Sequence, residues 1–422
     1  MKILVIGSGG REHALCWKLA QSAGVEIFAA PGNPGMARVA TCAAGQPFEV
    51  AERIRPDLTV VGPEAPLVRG VVDEFRARGW RIVGPARDAA QLEGSKIFAK
   101  NFFRQSGIPT AEFVTVENHE DARKALQRFG YPVVLKADGL AAGKGVIVAR
   151  DRAEAEAGLA ALAGMGGRLV IEEFLTGEEV SFIALCDGRD AVPLAPTQDH
   201  KAVFDGDCGP NTGGMGAYCD SAILDPAQSR DILERVIYPT VERTRFTGFL
   251  YAGLMMTAAG PKVLEFNVRL GDPETQPLMH RMESDFVPAL MAAAEGHLAG
   301  TGLAWRAGPS VCVVMASAGY PGAYEPGKPI HGIAEAEADG ATVFQAGTRI
   351  AANGQLETAG GRVLGVTAAG ADLQAAIDAA YRAVHEIRFE GAHYRTDIAA
   401  KGLRRARKKS AVRETTGRGK VV

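Results

Sequence analysis

VLEFNVRLGDPETQ, residues 263–276, is the segment whose reading organises the rest of the chain. Its first half has the period of a strand: Val263, Glu265, Asn267 and Arg269 alternate with Leu264, Phe266 and Val268. Side chains two residues apart share a face, so Glu265 and Asn267 project together, about 7 Å apart along the chain. Two hard oxygen donors on one face suit Mg2+, which takes one or two protein ligands and completes its octahedron with water and phosphate oxygens. Arg269 continues that face and can fork onto a carboxylate or phosphate. Gly271, Asp272, Pro273 and Glu274 then turn the chain and set two more acids beside it. Taken alone, the same letters fit an edge strand with a polar solvent face.

With 422 residues the chain is long enough for three or four domains. Its 47% hydrophobic and 23% charged residues match a soluble globular enzyme. No apolar run reaches the ~18 residues that span a bilayer, and the opening MKILVIGSGGREHAL reads as a buried strand rather than a signal peptide. Six scattered cysteines without a CxxC pair imply reduced thiols and a cytoplasmic location. From residue 401 on there are nine Lys or Arg against one Glu, a solvated basic tail without the interleaved aromatics of a nucleic-acid surface.

Residues 1–95 alternate buried strands (2–7, 25–30, 57–62, 81–84) with helical segments, a parallel βα pattern whose ligands gather at the carboxyl ends of the strands. Gly7, Gly9 and Gly10 permit close backbone approach, and the helix that follows favours an anion. A dinucleotide fingerprint needs glycine at position 12, which is Glu12, and an acid closing the second strand, which is absent. A sugar phosphate therefore fits better than NAD.

A helix over 95–105 with Ser95 as N-cap carries Lys96 on its first turn. PVVLKADGLAAGKGVIVAR (132–150) reads as strand, glycine-rich loop, strand, with Lys136 on the first strand and Lys144 in the flap, the form of a hairpin lid over nucleotide phosphates. Residues 168–188 read as two strands around Gly177, with Glu172 and Glu179 flanking Phe174 and Leu175. Residues 196–218 read as a long polar loop, of the kind that is usually functional. No nucleophile elbow accompanies Ser181 or Ser221. The strands and helix after Pro309 read as a small, structural α+β cap with little chemistry on its own face and at most one substrate-facing edge.

Four motifs stand in one order: GSGGREHA (7–14), KADGLAAGKGV (136–146), the QDHK…GPNTGGMGAY loop (198–218) and EFNVRLGDPETQ (265–276). With VGPEAPLV (61–68) they resemble the phosphoribosylamine–glycine ligases, or glycinamide ribonucleotide synthetases, of the ATP-grasp superfamily, over residues 1 to about 403. The resemblance implies an α/β and α+β multidomain fold. Its parts are an N-terminal parallel βαβ domain for the ribosylamine (1–95), an ATP-grasp core (96–120 and 190–310), a lid subdomain (121–189), a C-terminal α+β cap (311–403) and a flexible basic tail (404–422). It further implies joining of glycine to 5-phospho-β-D-ribosylamine through a glycyl phosphate, with ATP as co-substrate and Mg2+ or Mn2+ as cofactor, in de novo purine synthesis. A monomer without nucleic-acid or membrane partners is expected.

By motif, Glu265 and Asn267 are the implied metal ligands, and Lys96, Lys136 and Lys144 the phosphate-side cations. The resemblance likewise implies that Glu172, Phe174, Leu175 and Glu179 form the adenosine hinge. Arg269 and Lys144 are the implied catalytic pair. By the same resemblance Arg269, Asp199, Gly213 and Gly214 would hold glycine and its acyl phosphate, and Gly9, Gly10, Asn33 and Glu64 would meet the ribosylamine. Three departures stand out. Leu270 replaces an expected Phe, the strand before EFN lacks the acid many ATP-grasp enzymes carry there, and residues 39–57 are short for the family. The competing readings are another ATP-grasp ligase or carboxylase, an NAD-dependent oxidoreductase, and a nucleotide- or RNA-binding protein using the tail. Deletion after Leu403 is expected to leave ligase activity intact.

Overall fold

The computed structural model describes residues 1–140, 145–165 and 167–407. The N-terminal domain is a five-stranded parallel sheet in the order Thr41–Cys42, Glu26–Pro31, Lys2–Gly7, Leu58–Val61, Ile82–Val83. Alternation along Lys2–Gly7 sends Leu4 and Ile6 into one core and Ile3 and Val5 into another, so the strand is buried on both faces. The short 39–57 segment still holds one complete helix, Pro47–Ile54.

Phe113–Val116, Leu169–Glu173, Val133–Ala137 and Val146–Ala149 form a four-stranded antiparallel sheet. Its own core is separate from the other two large ones. The two strands around Gly177 do not pair with each other. Leu169–Glu173 stays in this sheet, whereas Glu178–Asp187 pairs with Thr247–Thr257 in a nine-stranded sheet. Gly177 is the crossing point: at φ +158° a Cβ there would lie 2.3 Å from the Met256 carbonyl oxygen, so only glycine fits.

One further expectation changes. The 196–218 loop is largely strand, with Thr197–Asp199 and Gly216–Cys219 in the nine-stranded sheet and the hairpin Ala202–Phe204/Cys208–Asn211 between them. The C-terminal α+β part is joined to the core through the same sheet. Gly216–Cys219 pairs with Ser310–Ala316, which pairs with Arg362–Ala369, so the core sheet runs on into the last domain. The tail boundary at 403/404 falls inside a helix that continues to residue 407. Among the described residues no helix is long and apolar enough to cross a membrane.

Candidate active site

Strand Val133–Ala137 places Lys136 opposite Leu169–Glu173, where Glu172 is 1% exposed. The Glu172 carboxylate lies between two ammonium groups, those of Lys136 and Lys100. Burial alone would raise its pKa, but the two lysines outweigh this and hold it below the usual carboxylate range. Burial lowers Lys100 to about 8 against the pull of Glu172. Lys100 also donates to Thr110 Oγ1 at 2.7 Å, and Lys136 to the Leu264 carbonyl at 3.0 Å. Ser95 caps the helix Lys96–Ser106 by accepting from Phe98 N, and Lys96 Nζ donates to the Gly139 carbonyl at 2.8 Å.

Beyond Glu172 the chain crosses between sheets through Phe174 and Leu175, which line the cavity together with Leu140 and Val148. Glu179 emerges on the far side, its carboxylate 3.4 Å from Lys201 Nζ, with Asp199 at 3.3 Å from the same nitrogen. Burial disfavours the Lys201 charge, yet Asp199, Tyr251, Glu179 and Glu265 raise its pKa. Burial pushes Asp199 up to about 6, against Lys201.

Glu265 and Asn267 lie on Gly260–Asn267 facing the same cavity. The Glu265 carboxylate has no hydrogen-bond or ion-pair partner among the described residues. Burial opposes its charge, and Lys201, Lys136, Lys96 and Arg269 hold its pKa below the usual range. Among the described residues no group of three or more His, Cys, Asp or Glu could hold a metal ion. A divalent cation here would therefore rest on the Glu265 carboxylate and the Asn267 carbonyl oxygen, a hard donor pair with room for water and phosphate, as Mg2+ or Mn2+ prefers.

Arg269 is more committed than its sequence suggests. Its guanidinium is 2.9 Å from Glu93 and 3.5 Å from Glu64, and it donates to Asn267 Oδ1 at 3.1 Å. Burial works against its charge, but Glu93 and Glu64 raise its pKa. Glu93, not singled out from the sequence, also accepts from Val268 N at 2.8 Å.

The N-terminal assignments separate. Glu64 lines the main cavity, while Gly9 lines a neighbouring one of about 480 Å3 with Ser8, Pro31 and Gln46. Gly10 reaches neither, packed where a Cβ would meet Gln276 at 2.7 Å. Asn33 lines neither cavity and brackets neighbouring segments: its amide donates to the carbonyls of Ser8 and Gln345, and its oxygen accepts from Met36 N. Glu12 accounts for the missing third glycine of a dinucleotide loop. Its carboxylate caps Gly9 N at 2.6 Å and pairs with Arg11, filling the turn from inside.

The last domain contributes Tyr320 and Arg362 to the cavity, residues that the sequence reading did not name. Arg362 donates to the carbonyls of Gly213 (2.8 Å) and Asp272 (2.6 Å) and pairs with the Asp272 carboxylate at 3.0 Å. Tyr320 OH accepts from Gly213 N at 3.1 Å. Gly214, at φ +113°, lies behind this wall, where a Cβ would be 2.4 Å from Pro273. Glu274 turns inward instead, accepting from Tyr251 OH at 2.7 Å and Ser181 Oγ at 3.1 Å.

One cavity of about 700 Å3 thus gathers Lys96, Lys136, Glu172, Phe174, Leu175, Glu179, Asp199, Gly213, Glu265, Asn267, Arg269 and Glu64, with Lys100, Lys201, Glu93, Tyr320 and Arg362 added by the structure. Lys144 lies outside the described residues.

Family models for phosphoribosylglycinamide synthetase match in series: the N domain over residues 1–93, the ATP-grasp (A) domain over 94–275 and the C domain over 310–401. Proteins named phosphoribosylamine–glycine ligase are similar along nearly the whole chain. The one from Allochromatium vinosum is 52% identical, covering 96% of this chain and 100% of its own. The one from Escherichia coli K12 is 50% identical, covering 96% and 99%. The crystal structure of the Thermotoga maritima phosphoribosylamine–glycine ligase superposes with a TM-score of 0.84 at 36% identity, over 94% of this chain and all of that one. A Campylobacter jejuni biotin carboxylase, at 14% identity and a TM-score of 0.72 over 93% of this chain and 92% of its own, shares the fold. Family models, close relatives and a solved structure agree: the chain belongs to the phosphoribosylglycinamide synthetase family.

Proposed function

We propose that the cavity joins glycine to 5-phospho-β-D-ribosylamine with cleavage of ATP, the phosphoribosylamine–glycine ligase reaction of purine synthesis. The observation that carries this reading is the convergence, in one cavity, of the cations on the four-stranded sheet and its helix, the Glu265/Asn267 donor pair, and walls from the first and last domains. A glycine carboxylate oxygen attacks the γ-phosphorus of ATP, the bond to the bridging oxygen breaks, and ADP leaves. The ribosylamine nitrogen then attacks the glycyl carbonyl, the bond to phosphate breaks, and the nitrogen gives up a proton.

Neither step needs a side-chain nucleophile, so the protein's contribution is positioning and charge neutralisation. Phe174, Leu175 and the backbone between the two sheets hold the adenine, and Glu179 its ribose. Lys96 and Lys136 meet the phosphates, with Lys144 assigned to the same task by its motif. Glu265 and Asn267 would hold Mg2+ or Mn2+, which would supply charge neutralisation at the phosphates. Lys201, kept charged by Asp199 and Glu179, faces the transferring group. Arg269 and the Gly213 backbone, fixed by Arg362 and Tyr320, hold glycine and its acyl phosphate. Glu64 and the cavity beside Gly9 lie toward the ribosylamine.

Purified protein with ATP and Mg2+ is expected to release ADP only when glycine and freshly generated phosphoribosylamine are both present, with glycinamide ribonucleotide formed in equal amount. Glu265→Ala is expected to lower turnover by at least about 100-fold with unchanged circular dichroism. Turnover with bicarbonate in place of glycine, or none from folded protein, overturns the reading.

A further inference from the structure

The helix over residues 400–407 runs past the end of the matched C domain at residue 401 and brings Arg405 against the core sheet. Arg405 forks onto one carboxylate: Nε donates to Glu178 Oε2 at 3.0 Å, and a terminal nitrogen reaches the other oxygen. That nitrogen also donates to Gln198 Oε1 at 3.2 Å. The Arg405 side chain keeps only 13% of its accessible surface.

Gln198, 1% exposed, is the hub of this network. Its amide donates to the Glu179 carbonyl at 2.5 Å and to Glu178 Oε1 at 3.3 Å, and its oxygen accepts from Tyr218 OH at 2.6 Å. Side chains alternate along a strand, so Glu178 and Gln198 point away from the cavity while their neighbours Glu179 and Asp199 point into it. The Lys201 ammonium spans those two inward carboxylates.

We propose that Arg405 is a positioning residue: through Glu178 and Gln198 it fixes Glu179 and Asp199, and with them Lys201, where ATP binds. The proposal rests on the reading in which those groups face ATP. Without Arg405, Glu178 is left half-buried without its cation, and Gln198 loses the donor that shares its oxygen with Tyr218. The paired strands then lose the bracket that sets Glu179 against Asp199.

The test uses the full-length protein, Arg405→Met, Arg405→Lys and a truncation after Leu403, with Glu178→Gln as a second probe should Arg405→Met not fold. Calorimetric titration with ATP and Mg2+ is expected to show about tenfold weaker binding for Arg405→Met and for the truncation, the scale of one lost charge-assisted hydrogen bond, in contrast to the intact activity that the sequence alone predicts for a deletion after Leu403. The KM for ATP should rise in parallel, the KM for phosphoribosylamine should stay constant, and Arg405→Lys should recover part of the loss. Unchanged ATP affinity in folded Arg405→Met or Glu178→Gln overturns the proposal. So does a fall in kcat alone at constant KM, the mark of a smaller active fraction. Titration does not depend on turnover, so failure of the ligase reading, seen as an inactive wild-type protein, is distinguishable.

Discussion

Glu172 answers two lysines with one carboxylate. In the proposed reading ATP phosphates draw Lys136 forward; Lys100 then remains, and Glu172 is not left a lone buried charge, an arrangement otherwise strongly destabilising. Replacing Lys100 by Met makes Lys136 the sole counter-ion of Glu172 and holds it back from the phosphates. ATP affinity measured by titration should then fall about tenfold, the scale of a charge-assisted hydrogen bond; unchanged affinity would show that Lys100 has no part in nucleotide binding. Lys100 was legible in principle, four residues after Lys96 on the same helix face. Asn33 and Gly10 were not. A glycine-rich turn announces that something approaches the backbone, but Gln276, Gln345 and the Glu12 carboxylate, which fill that space, come from elsewhere in the fold or from the other side of the turn.

At the scale of elements, strand Arg362–Ala369 carries Arg362 across to the Gly213 loop and the Asp272 turn. Arg362→Met would leave Asp272 without its cation and the Gly213 carbonyl without its donor. We expect kcat/KM for glycine to fall about 100-fold, consistent with misplacement of reacting groups, while ATP affinity by titration stays within a factor of about two. An equal loss of ATP affinity would show that Arg362 acts on the whole cavity. Four of the five parallel strands of the first domain were readable to within a residue or two, because each holds a short apolar run ending in a turn; the exposed two-residue edge strand Thr41–Cys42 has no such run and was missed. The strands flanking Gly177 were placed correctly, but not their partners. Their local pattern is that of a hairpin, and only their long-range partners decide that each joins a different sheet.

Across the whole molecule, three buried histidines face acid differently from an unfolded chain. Burial, aided by Arg38, lowers His13 from 6.5 to about 4. Burial and Arg306 lower His280 to about 4, and burial with Lys401 and Arg395 lowers His200 to about 3. Between those values and 6.5 the unfolded chain binds more protons than the folded one, so their contribution is present above pH 6.5 and is lost as pH falls toward 4. Each histidine contributes a slope of up to ~1.4 kcal/mol per pH unit within that window. Thermal midpoints should therefore drop steadily from pH 6.5 to 4.5, with net proton uptake on unfolding measurable by calorimetry in buffers of different ionisation enthalpy. A flat midpoint over that range would contradict neutral, buried imidazoles.

The sheet that passes from Gly216–Cys219 into Ser310–Ala316 has a consequence for anyone who would take the enzyme apart. A gene fragment ended between the matched A and C domains looks like a clean modular cut on paper. It would strip one side of Gly216–Cys219 of its partner, leaving a raw row of amide and carbonyl groups next to the Gly213 loop. Such an edge invites a foreign strand. The severed half is then better pictured as a template for self-association than as a smaller catalyst.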